Sequence, residues 1–473
     1  MTERILIHPV TRVEGHARIS IYLDDSGEVS SAQFHVTEFR GFEKLCEGRP
    51  FHEMPGLMSR ICGICPVSHV LASSKAGDML LGVEIPRAAA KQRRLVNYAQ
   101  ILQSHALSCF HLSAPDLLLG MDSPPEKRNL FGLLESDAEL MRRGIRLRQF
   151  GQRIIELVGG KRIHPAWGAP GGVLRALGAA ERDEIRQLIP EALQSVDSAL
   201  GRLKSVIDSF ALEIEHMGNF PTFFLGTVTP EGALEYYDGQ IRIVDAEGNV
   251  VADGLDPLRY PSYLGEASEE WSFMKFAYYK PLGYPGGVYR VGPLARLNVA
   301  KSAGTPRADR ELRDFKQRSR GAVCQSFYYH LARVIEMLHA VERIEELIED
   351  PDLLREHVRA KAGQNRNHGV GCCEAPRGTL FHDYEVDDDG LIRKVNLLIA
   401  TGQNNLAMNR AVEQTARHFV SARTVQEGML NRIEAAIRCF DPCLSCATHA
   451  DGTIAIKVQL FDAAGNLRDE MAN

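Results

Sequence analysis

The pattern of apolar residues along the chain is dominated by long stretches in which they recur every three or four positions. This period is that of an α-helix with one buried face. It predicts helices at Val67–Leu81, Arg87–Leu119, Ala138–Val158, Ala180–Met217, Asp309–Ile348, Asn405–Val420 and Val425–Ile437. Helices of this length favour a bundle as the main architecture.

Shorter stretches alternate apolar and polar residues, which is typical of half-buried strands. His16–Leu23 and Val29–Val36 flank an Asp-Asp-Ser-Gly turn and predict a hairpin. Gly378–Val386 and Leu391–Ile399 flank an Asp-rich turn and predict a second hairpin. Together with a small β insertion at about 235–290, these elements predict a mainly α fold with small β-sheets (α+β), a long-helix bundle with peripheral hairpins.

Composition narrows the class of protein. The 473 residues are 44% hydrophobic, which is enough to bury a large core, and the net charge of −6 with dispersed Lys and Arg argues against nucleic-acid binding. The start of the chain lacks a signal-peptide pattern, and no apolar run is long enough for a membrane span. We therefore expect a cytoplasmic protein without direct membrane insertion.

Two cysteine motifs, far apart in the sequence, are the main chemical signal. RICGICPVSH at residues 60–69 contains Cys62 and Cys65, and DPCLSCATH at residues 441–449 contains Cys443 and Cys446. Four thiolates brought together by folding would bind a soft transition metal. Zinc, iron–sulfur and thiol-redox sites remain open from the spacing alone, although structural zinc usually has its two pairs closer together.

The two strings together resemble the metal-binding signatures of the [NiFe]-hydrogenase large subunit. The resemblance extends from Thr11-Arg12-Val13-Glu14-Gly15-His16 to His449 and implies a single domain over residues 1–449. Among subfamilies, the chain length and the strings RGFEK (40–44) and EAPRGTL (374–380) are most similar to the hydrogenase subunit of soluble, bidirectional NAD-reducing enzymes.

The resemblance implies a Ni-Fe(CN)2(CO) centre and its ligands. Cys62 and Cys443 correspond to the terminal nickel ligands, and Cys65 and Cys446 correspond to the cysteines that bridge nickel and iron. The residues expected around the cyanide and carbon monoxide ligands are His69, Pro376, Arg377, Ile399, Ala400 and Thr401. Of these, Arg377 and Thr401 are expected to donate hydrogen bonds to the cyanides, and His69 to contact a bridging sulfur.

The resemblance also implies roles in proton transfer and magnesium binding. Either the Cys443 thiolate or Arg377 would take the proton from dihydrogen, and Glu14 would pass it outward. A magnesium ion is expected on Glu43, His449 and the Leu397 carbonyl.

One position departs from the family pattern. Many relatives have an aspartate where this chain has Ser104. The sequence therefore leaves open how Arg377 is held in place.

The implied function is reversible heterolytic cleavage of dihydrogen to protons and electrons. The remaining cysteines lack ferredoxin-like spacing and there is no GxGxxG string, so neither an iron–sulfur cluster nor NAD is expected in this chain. The expected partners are an iron–sulfur small subunit, flavin/iron–sulfur NAD-reducing (diaphorase) subunits and a maturation endopeptidase.

Other functions fit the same motifs. One is a deazaflavin- or polysulfide-linked cytoplasmic hydrogenase, and another is a dihydrogen-sensing regulatory hydrogenase. A quinone-binding module like the related respiratory complex I subunit is disfavoured, because that relative lacks the four cysteines.

The chain continues for 24 residues beyond His449. Large subunits of this family are made as precursors and cut directly after the histidine of the second motif. We therefore expect residues 450–473 to be a C-terminal propeptide that is removed on maturation.

Overall fold

The structure is a computed structural model that describes residues 4–420 and 426–448, together with the backbone of 457–461 and 467–472. His449, the expected magnesium ligand, lies outside the described residues, as does most of the expected propeptide. Two strands of that tail, Lys457–Phe461 and Leu467–Ala472, pair in antiparallel fashion.

Helices are the most abundant element among the described residues. In chain order they are α1 (Phe42–Leu45), α2 (Met54–Met58), α3 (Pro66–Leu81), α4 (Arg87–Leu107), α5 (Ala114–Leu119), α6 (Leu130–Ser136), α7 (Ala138–Gly159), α8 (Ala179–Ile207), α9 (Ala211–His216), α10 (Tyr260–Tyr263), α11 (Pro293–Val299), α12 (Pro306–Lys316), α13 (Tyr329–Ile348), α14 (Ala400–Gln403), α15 (Asn405–Phe419) and α16 (Glu427–Phe440).

The strands form small sheets around the helices. They are β1 (Arg4–Ile7), β2 (Ala17–Leu23), β3 (Val29–Val36), β4 (Gly168–Ala169), β5 (Gly172–Val173), β6 (Phe223–Val228), β7 (Gln240–Val244), β8 (Val250–Leu255), β9 (Leu264–Glu269), β10 (Ser272–Tyr279), β11 (Tyr289–Arg290), β12 (His368–Ala375), β13 (Gly378–Val386), β14 (Ile392–Leu398), β15 (Lys457–Phe461) and β16 (Leu467–Ala472). The predicted mainly α fold with small β-sheets is confirmed.

The core of the molecule is a bundle of long helices. Helix α4 packs against α7 and α13, and α13 in turn packs against α8. Their apolar faces meet in one continuous hydrophobic core. No helix among the described residues is long and apolar enough to cross a membrane.

Three predicted helices are wrong in their continuity. The helix predicted at Arg87–Leu119 contains a π-helical turn at Ser108–Ser113, and the one predicted at Ala180–Met217 is interrupted after Ile207. The helix predicted at Asp309–Ile348 is two helices, α12 and α13. The chain between them passes Gly321, whose backbone packs so closely on the Ala246 carbonyl that a side chain would clash.

Both predicted hairpins are present, and each gains a third strand that was not predicted. Strand β1 joins the first hairpin in the order β1-β2-β3, and β12 joins the second in the order β12-β13-β14. Strand β12 shows no alternation because all its residues after His368 are buried. It lies against α3 at Gly371, where a Cβ would stand 1.8 Å from the Ala72 carbonyl oxygen.

This close packing decides where the site residues meet. Helix α3 begins directly after Cys65, and the turn that follows β12 carries Pro376 and Arg377. Strands β6 to β11 form a four-stranded sheet, in the order β11-β6-β7-β8, and a separate β9–β10 hairpin beside the bundle.

Candidate metal centre

Folding brings the two distant cysteine motifs together. The sulfurs of Cys62, Cys65, Cys443 and Cys446 all lie within 4.8 Å of one another. Each of the four residues is at most 5% exposed. Such a buried cluster of thiols suits a soft metal and excludes hard ions such as magnesium.

The first pair is positioned by its own backbone. Cys65 stands directly before the first turn of α3, with Pro66 at the first helical position. The N–H groups of Ile64 and Cys65 both point at the Cys62 sulfur, each at 3.2 Å. Hydrogen bonds from the thiols of Cys443, Cys446 and Cys62 lower the pKa of Cys65 well below its usual value.

The second pair is positioned by contacts with distant parts of the chain. Helix α16 ends at Phe440, and Asp441 then adopts a left-handed conformation with φ of 51°. The N–H of Cys443 donates to the Thr401 hydroxyl at 3.1 Å. Burial raises the pKa of both Cys443 and Cys446, so this pair stays protonated more readily than Cys65 while no metal is bound.

Arg377 is held beside the cysteines by Asp441. Its Nε donates to the Asp441 carbonyl oxygen, and its Nη2 lies 3.2 Å and 3.1 Å from the two carboxylate oxygens of the same residue. Its Nη1 lies 3.4 Å from the Ser104 hydroxyl. The negative charge that Ser104 lacks is therefore supplied by Asp441. Sequence reasoning missed this role, although Asp441 is the first residue of the DPCLSCATH string.

A small space adjoins the sulfurs. It is lined by Cys65, His69, Ala375, Pro376, Arg377, Leu380, Ile399, Ala400, Thr401, Cys443 and Cys446. The six residues predicted around the diatomic ligands therefore all lie on one cavity. Its walls combine apolar side chains with one guanidinium and one hydroxyl, which suits a metal carrying both apolar and hydrogen-bond-accepting ligands.

Glu14 lies against the second motif. Its carbonyl accepts a hydrogen bond from the Leu444 N–H at 3.1 Å, and its carboxylate is contacted by both the N–H, at 3.2 Å, and the hydroxyl of Ser445. Burial raises the pKa of Glu14, although hydrogen bonds from Cys443 and Ser445 oppose the shift. The structure thus brings Glu14 to the Cys443 side of the site.

His69 connects the cavity to a buried chain of polar side chains. Its Nδ1 lies 3.1 Å from Nε2 of His382, whose Nδ1 lies 2.8 Å from the Tyr384 hydroxyl. That hydroxyl donates to Ser73 at 2.9 Å. The hydrogen bond with His382 fixes the orientation of the His69 ring, as is common for histidines beside metals.

The residues expected to bind magnesium are partly together. The Leu397 N–H donates to Glu43 Oε1 at 2.8 Å, and Lys275 Nζ lies 3.6 Å from Oε2. Glu43 thus contacts the Leu397 N–H, whereas the group predicted as a magnesium ligand is the Leu397 carbonyl. The Glu43 carboxylate is an oxygen donor of the kind that magnesium takes.

The fold and the site define an α-rich protein that gathers four buried thiols for a soft metal. A family model described as nickel-dependent hydrogenase matches residues 40–121 and 233–449, and one described as HoxL-like matches residues 4–39. The chain belongs to the nickel-dependent hydrogenase family.

Two curated relatives cover nearly all of this chain. It is 42% identical to the NAD-reducing hydrogenase HoxS subunit beta of Cupriavidus necator, over the whole of both chains. It is 38% identical to one subunit of the F420-non-reducing hydrogenase of Methanothermobacter marburgensis, over 98% of this chain and 99% of the relative.

Solved structures agree with these relatives. A crystal structure of an NAD⁺-reducing [NiFe]-hydrogenase in the H2-reduced state covers 95% of this chain and all of its own, with a TM-score of 0.92 and 47% identity. The [NiFeSe] hydrogenase of Desulfovibrio vulgaris Hildenborough has the same fold, with a TM-score of 0.78 at 23% identity. The prediction that this chain is a nickel–iron hydrogenase large subunit, and therefore part of an oxidoreductase, is confirmed.

Proposed function

We propose that this chain is the catalytic subunit of a multi-subunit hydrogenase that transfers electrons from dihydrogen to NAD. The observation that carries the proposal is the buried group of four cysteine sulfurs within 4.8 Å of one another. The identity to a named subunit of an NAD-reducing hydrogenase over the full length of both chains supports the choice of acceptor.

The residues present fit a Ni-Fe(CN)2(CO) centre. Cys62 and Cys443 would hold nickel, and Cys65 and Cys446 would hold both metals. When bound, such a centre supplies Lewis-acid chemistry for splitting dihydrogen. Arg377 and Thr401 offer donors for the cyanides, while Pro376, Ile399 and Ala400 offer apolar wall.

Protons leave along the Cys443 side of the site. The Cys443 side chain hydrogen-bonds the Glu14 carboxylate. The Cys443 sulfur therefore accepts the proton, and Glu14 carries it onward toward solvent. Asp441 holds the Arg377 guanidinium through two oxygens and its own carbonyl. In this arrangement Arg377 stabilises charge over the open side of the cluster, because a fixed donor costs no reorganisation during reaction.

Electrons leave through partner subunits. We propose flavin-containing diaphorase subunits and an iron–sulfur small subunit, located with this chain in the cytoplasm. The relatives' names, which describe subunits of larger hydrogenases, support such an assembly. A magnesium ion on Glu43, Leu397 and His449 completes the proposed sites.

Maturation removes the tail. We propose that residues 1–449 form one domain and that an endopeptidase cuts after His449, releasing residues 450–473. Cys446 is three residues from this cut, so a new chain end there lets the second motif close on the metals. Intact mass spectrometry of the nickel-loaded protein decides the matter, because an active chain that still ends at Asn473 contradicts processing.

The acceptor is tested on the intact complex, purified through a tag on one of the partner subunits. We expect dihydrogen-dependent reduction of NAD at a rate comparable to that of an artificial dye, with iron–sulfur and flavin subunits co-purifying. Turnover with the dye but not with NAD contradicts the NAD assignment. Negligible turnover with both would instead identify a dihydrogen sensor.

A further inference from the structure

A fully buried arginine lies behind the loop that carries Arg377. Arg296, on α11, has no exposed surface. Its Nε donates to Glu336 Oε1 at 2.6 Å, and its Nη2 donates to Glu336 Oε2 at 2.7 Å. Its Nη1 donates to Glu374 Oε2 at 2.7 Å. The guanidinium thus joins two buried carboxylates from different elements, α13 and β12.

The remaining donors of Arg296 bind the backbone next to Arg377. Nη1 also donates to the Ala375 carbonyl at 2.9 Å, and Nη2 donates to the Pro376 carbonyl at 3.2 Å. A guanidinium has five N–H donors in a fixed plane. Each of the five hydrogen bonds of Arg296 therefore has its own donor, and two of them fix the peptide groups directly before Arg377.

The same cluster reaches the other side of Arg377. Nε2 of His105 lies 2.8 Å from Glu336 Oε2, and burial lowers the pKa of His105 to about 4, so the ring is neutral and donates. His105 follows Ser104, whose hydroxyl is 3.4 Å from Arg377 Nη1. Glu336 therefore restrains α4 at the point where that helix contacts Arg377.

The backbone around Arg377 leaves no room for movement toward α11. A Cβ on Gly292, the residue before α11, would stand 2.6 Å from the Arg377 carbonyl oxygen. A Cβ on Gly378 would stand 2.3 Å from the Val291 side chain. Arg296 thus lies one helical turn from a direct backbone contact with the Arg377 loop.

We propose that Arg296, together with Glu336 and Glu374, is a positioning residue that sets where the Arg377 guanidinium stands over the metal site. This inference rests on the role proposed above for Arg377. A buried ion pair alone is weak evidence for stability, since desolvation offsets much of the attraction. The cluster is better explained by its geometry, because two of the five hydrogen bonds of Arg296 bind the loop that carries Arg377.

Arg296→Lys tests the proposal, because an ammonium group keeps the charge but cannot reproduce the planar set of five donors. The matched control is Arg93→Lys. Arg93 is equally buried and binds Asp78 and the carbonyls of Ala169 and Gly172, away from the cysteines. Glu374→Gln, which keeps the side-chain shape, replaces Arg296→Lys if that variant does not fold.

At full nickel and iron content, we expect Arg296→Lys to lower turnover at least tenfold and to shift the cyanide stretching bands, while Arg93→Lys does neither. In an Arg377→Lys background, Arg296→Lys should cost less than a further twofold, since it acts through the residue already changed. Equal effects of Arg296→Lys and Arg93→Lys, unshifted bands, or multiplying losses in the double variant would each overturn the proposal.

A crystal structure of the metal-free Arg296→Lys protein gives a readout that does not depend on activity. We expect the Arg377 guanidinium to separate from the Asp441 carboxylate, and an unchanged pair contradicts positioning. If Arg377→Lys alone keeps full turnover, the proposed role of Arg377 fails, and this structure then decides whether Arg296 positions the loop.

Discussion

The two halves of the metal site are built in different ways. The Cys62–Cys65 pair is held by local contacts, because the Cys62 sulfur accepts hydrogen bonds from the N–H groups of Ile64 and Cys65. This turn leads directly into α3. The Cys443–Cys446 pair depends on distant residues, with Thr401 binding its backbone and Glu14 lying alongside. The first loop is also tied to distant residues, since Arg40, Gln100 and Gln103 bind its carbonyls. The difference lies in the cysteine N–H groups, because that of Cys65 is bound within its own turn while that of Cys443 is bound by a residue 42 positions away.

The dependence of the second pair on long-range contacts bears on maturation. The second pair is also the one beside the proposed cut after His449. Substitutions in one half at a time therefore compare a pair whose N–H groups are bound within its own turn with a pair bound by distant residues.

Loss of a thiol from either half should have the largest effect. We expect Cys65→Ala and Cys446→Ala each to abolish nickel retention and turnover, because each removes a ligand shared by both metals in the proposed centre. Elemental analysis of the purified variants checks this. A variant that retains one nickel per chain would contradict the assignment of its cysteine as a ligand.

Arg377→Lys should come next in size. Removing a preorganised donor from an active site typically lowers turnover by about 100- to 1000-fold, and lysine cannot contact both Asp441 oxygens and the Ser104 hydroxyl together. We expect a loss within this range at normal metal content, measured by dye reduction. The control is Arg93→Lys, since Arg93 is equally buried and instead binds Asp78 and the carbonyls of Ala169 and Gly172. Equal losses in both variants would mean that Arg377 is no more than a structural residue.

Glu14→Gln should retain the metals and slow proton movement. The amide keeps the shape and can still accept from Ser445, but it cannot carry a proton. We expect proton–deuterium exchange and dihydrogen production to fall by about 100-fold, in the range of an acid–base residue. Exchange at the wild-type rate would place the proton path elsewhere. Glu47→Gln, on the exposed surface, is the control.

Substitutions of two glycines compare how closely the backbone is packed in the two halves. Gly63, inside the first motif, has no atom within 4 Å of a Cβ position, so Gly63→Ala should leave stability unchanged. Gly15 has φ of 91°, and a Cβ there would stand 2.2 Å from Glu38 and 2.7 Å from Leu444. Gly15→Ala should cost about 1–3 kcal/mol from backbone strain, measured by denaturation of the metal-free proteins. Similar stability of the two variants would show that the halves do not differ in this way.

Thr401→Val is expected to have an effect no larger than that of Gly15→Ala. Valine keeps the branched shape but leaves the Cys443 N–H without its acceptor, at a cost of about 1–3 kcal/mol for a buried donor. Metal-free unfolding measures this cost. Thr379→Val provides a comparison, since Thr379 donates to Glu374 in the Arg296 cluster. If the free energy of unfolding of Thr401→Val equals that of the wild type, the Thr401 hydroxyl is not the main contact that holds the second half.

The cysteine site could be predicted from the sequence because its information is local. Each motif is a contiguous string, and two such strings suffice to name the four cysteines that the fold brings together. Asp441 lies in one of those strings, yet its partner Arg377 is 64 residues away, so only the structure shows that they pair. The Arg296 cluster was missed for the same reason, since its members are single charged residues 40 and 78 positions apart.

The elements that were predicted correctly show a regular recurrence of apolar residues in the sequence. Strands β2, β3 and β13 and the helices α3 and α7 follow such patterns, and the observed bounds lie within a residue or so of those predicted. Strand β12 was missed because burial on both faces removes alternation. The π-helical turn at Ser108–Ser113 was missed because the apolar period persists across it.

The most direct test of the account is infrared spectroscopy combined with metal analysis of the purified, active protein. The proposed site predicts cyanide and carbon monoxide stretching bands, with nickel and iron present in about equal amounts per chain. These signals should vanish in Cys65→Ala and Cys446→Ala and remain in Gly63→Ala. Fully active protein that contains zinc in place of nickel and iron, and shows no diatomic bands, would contradict the central claim.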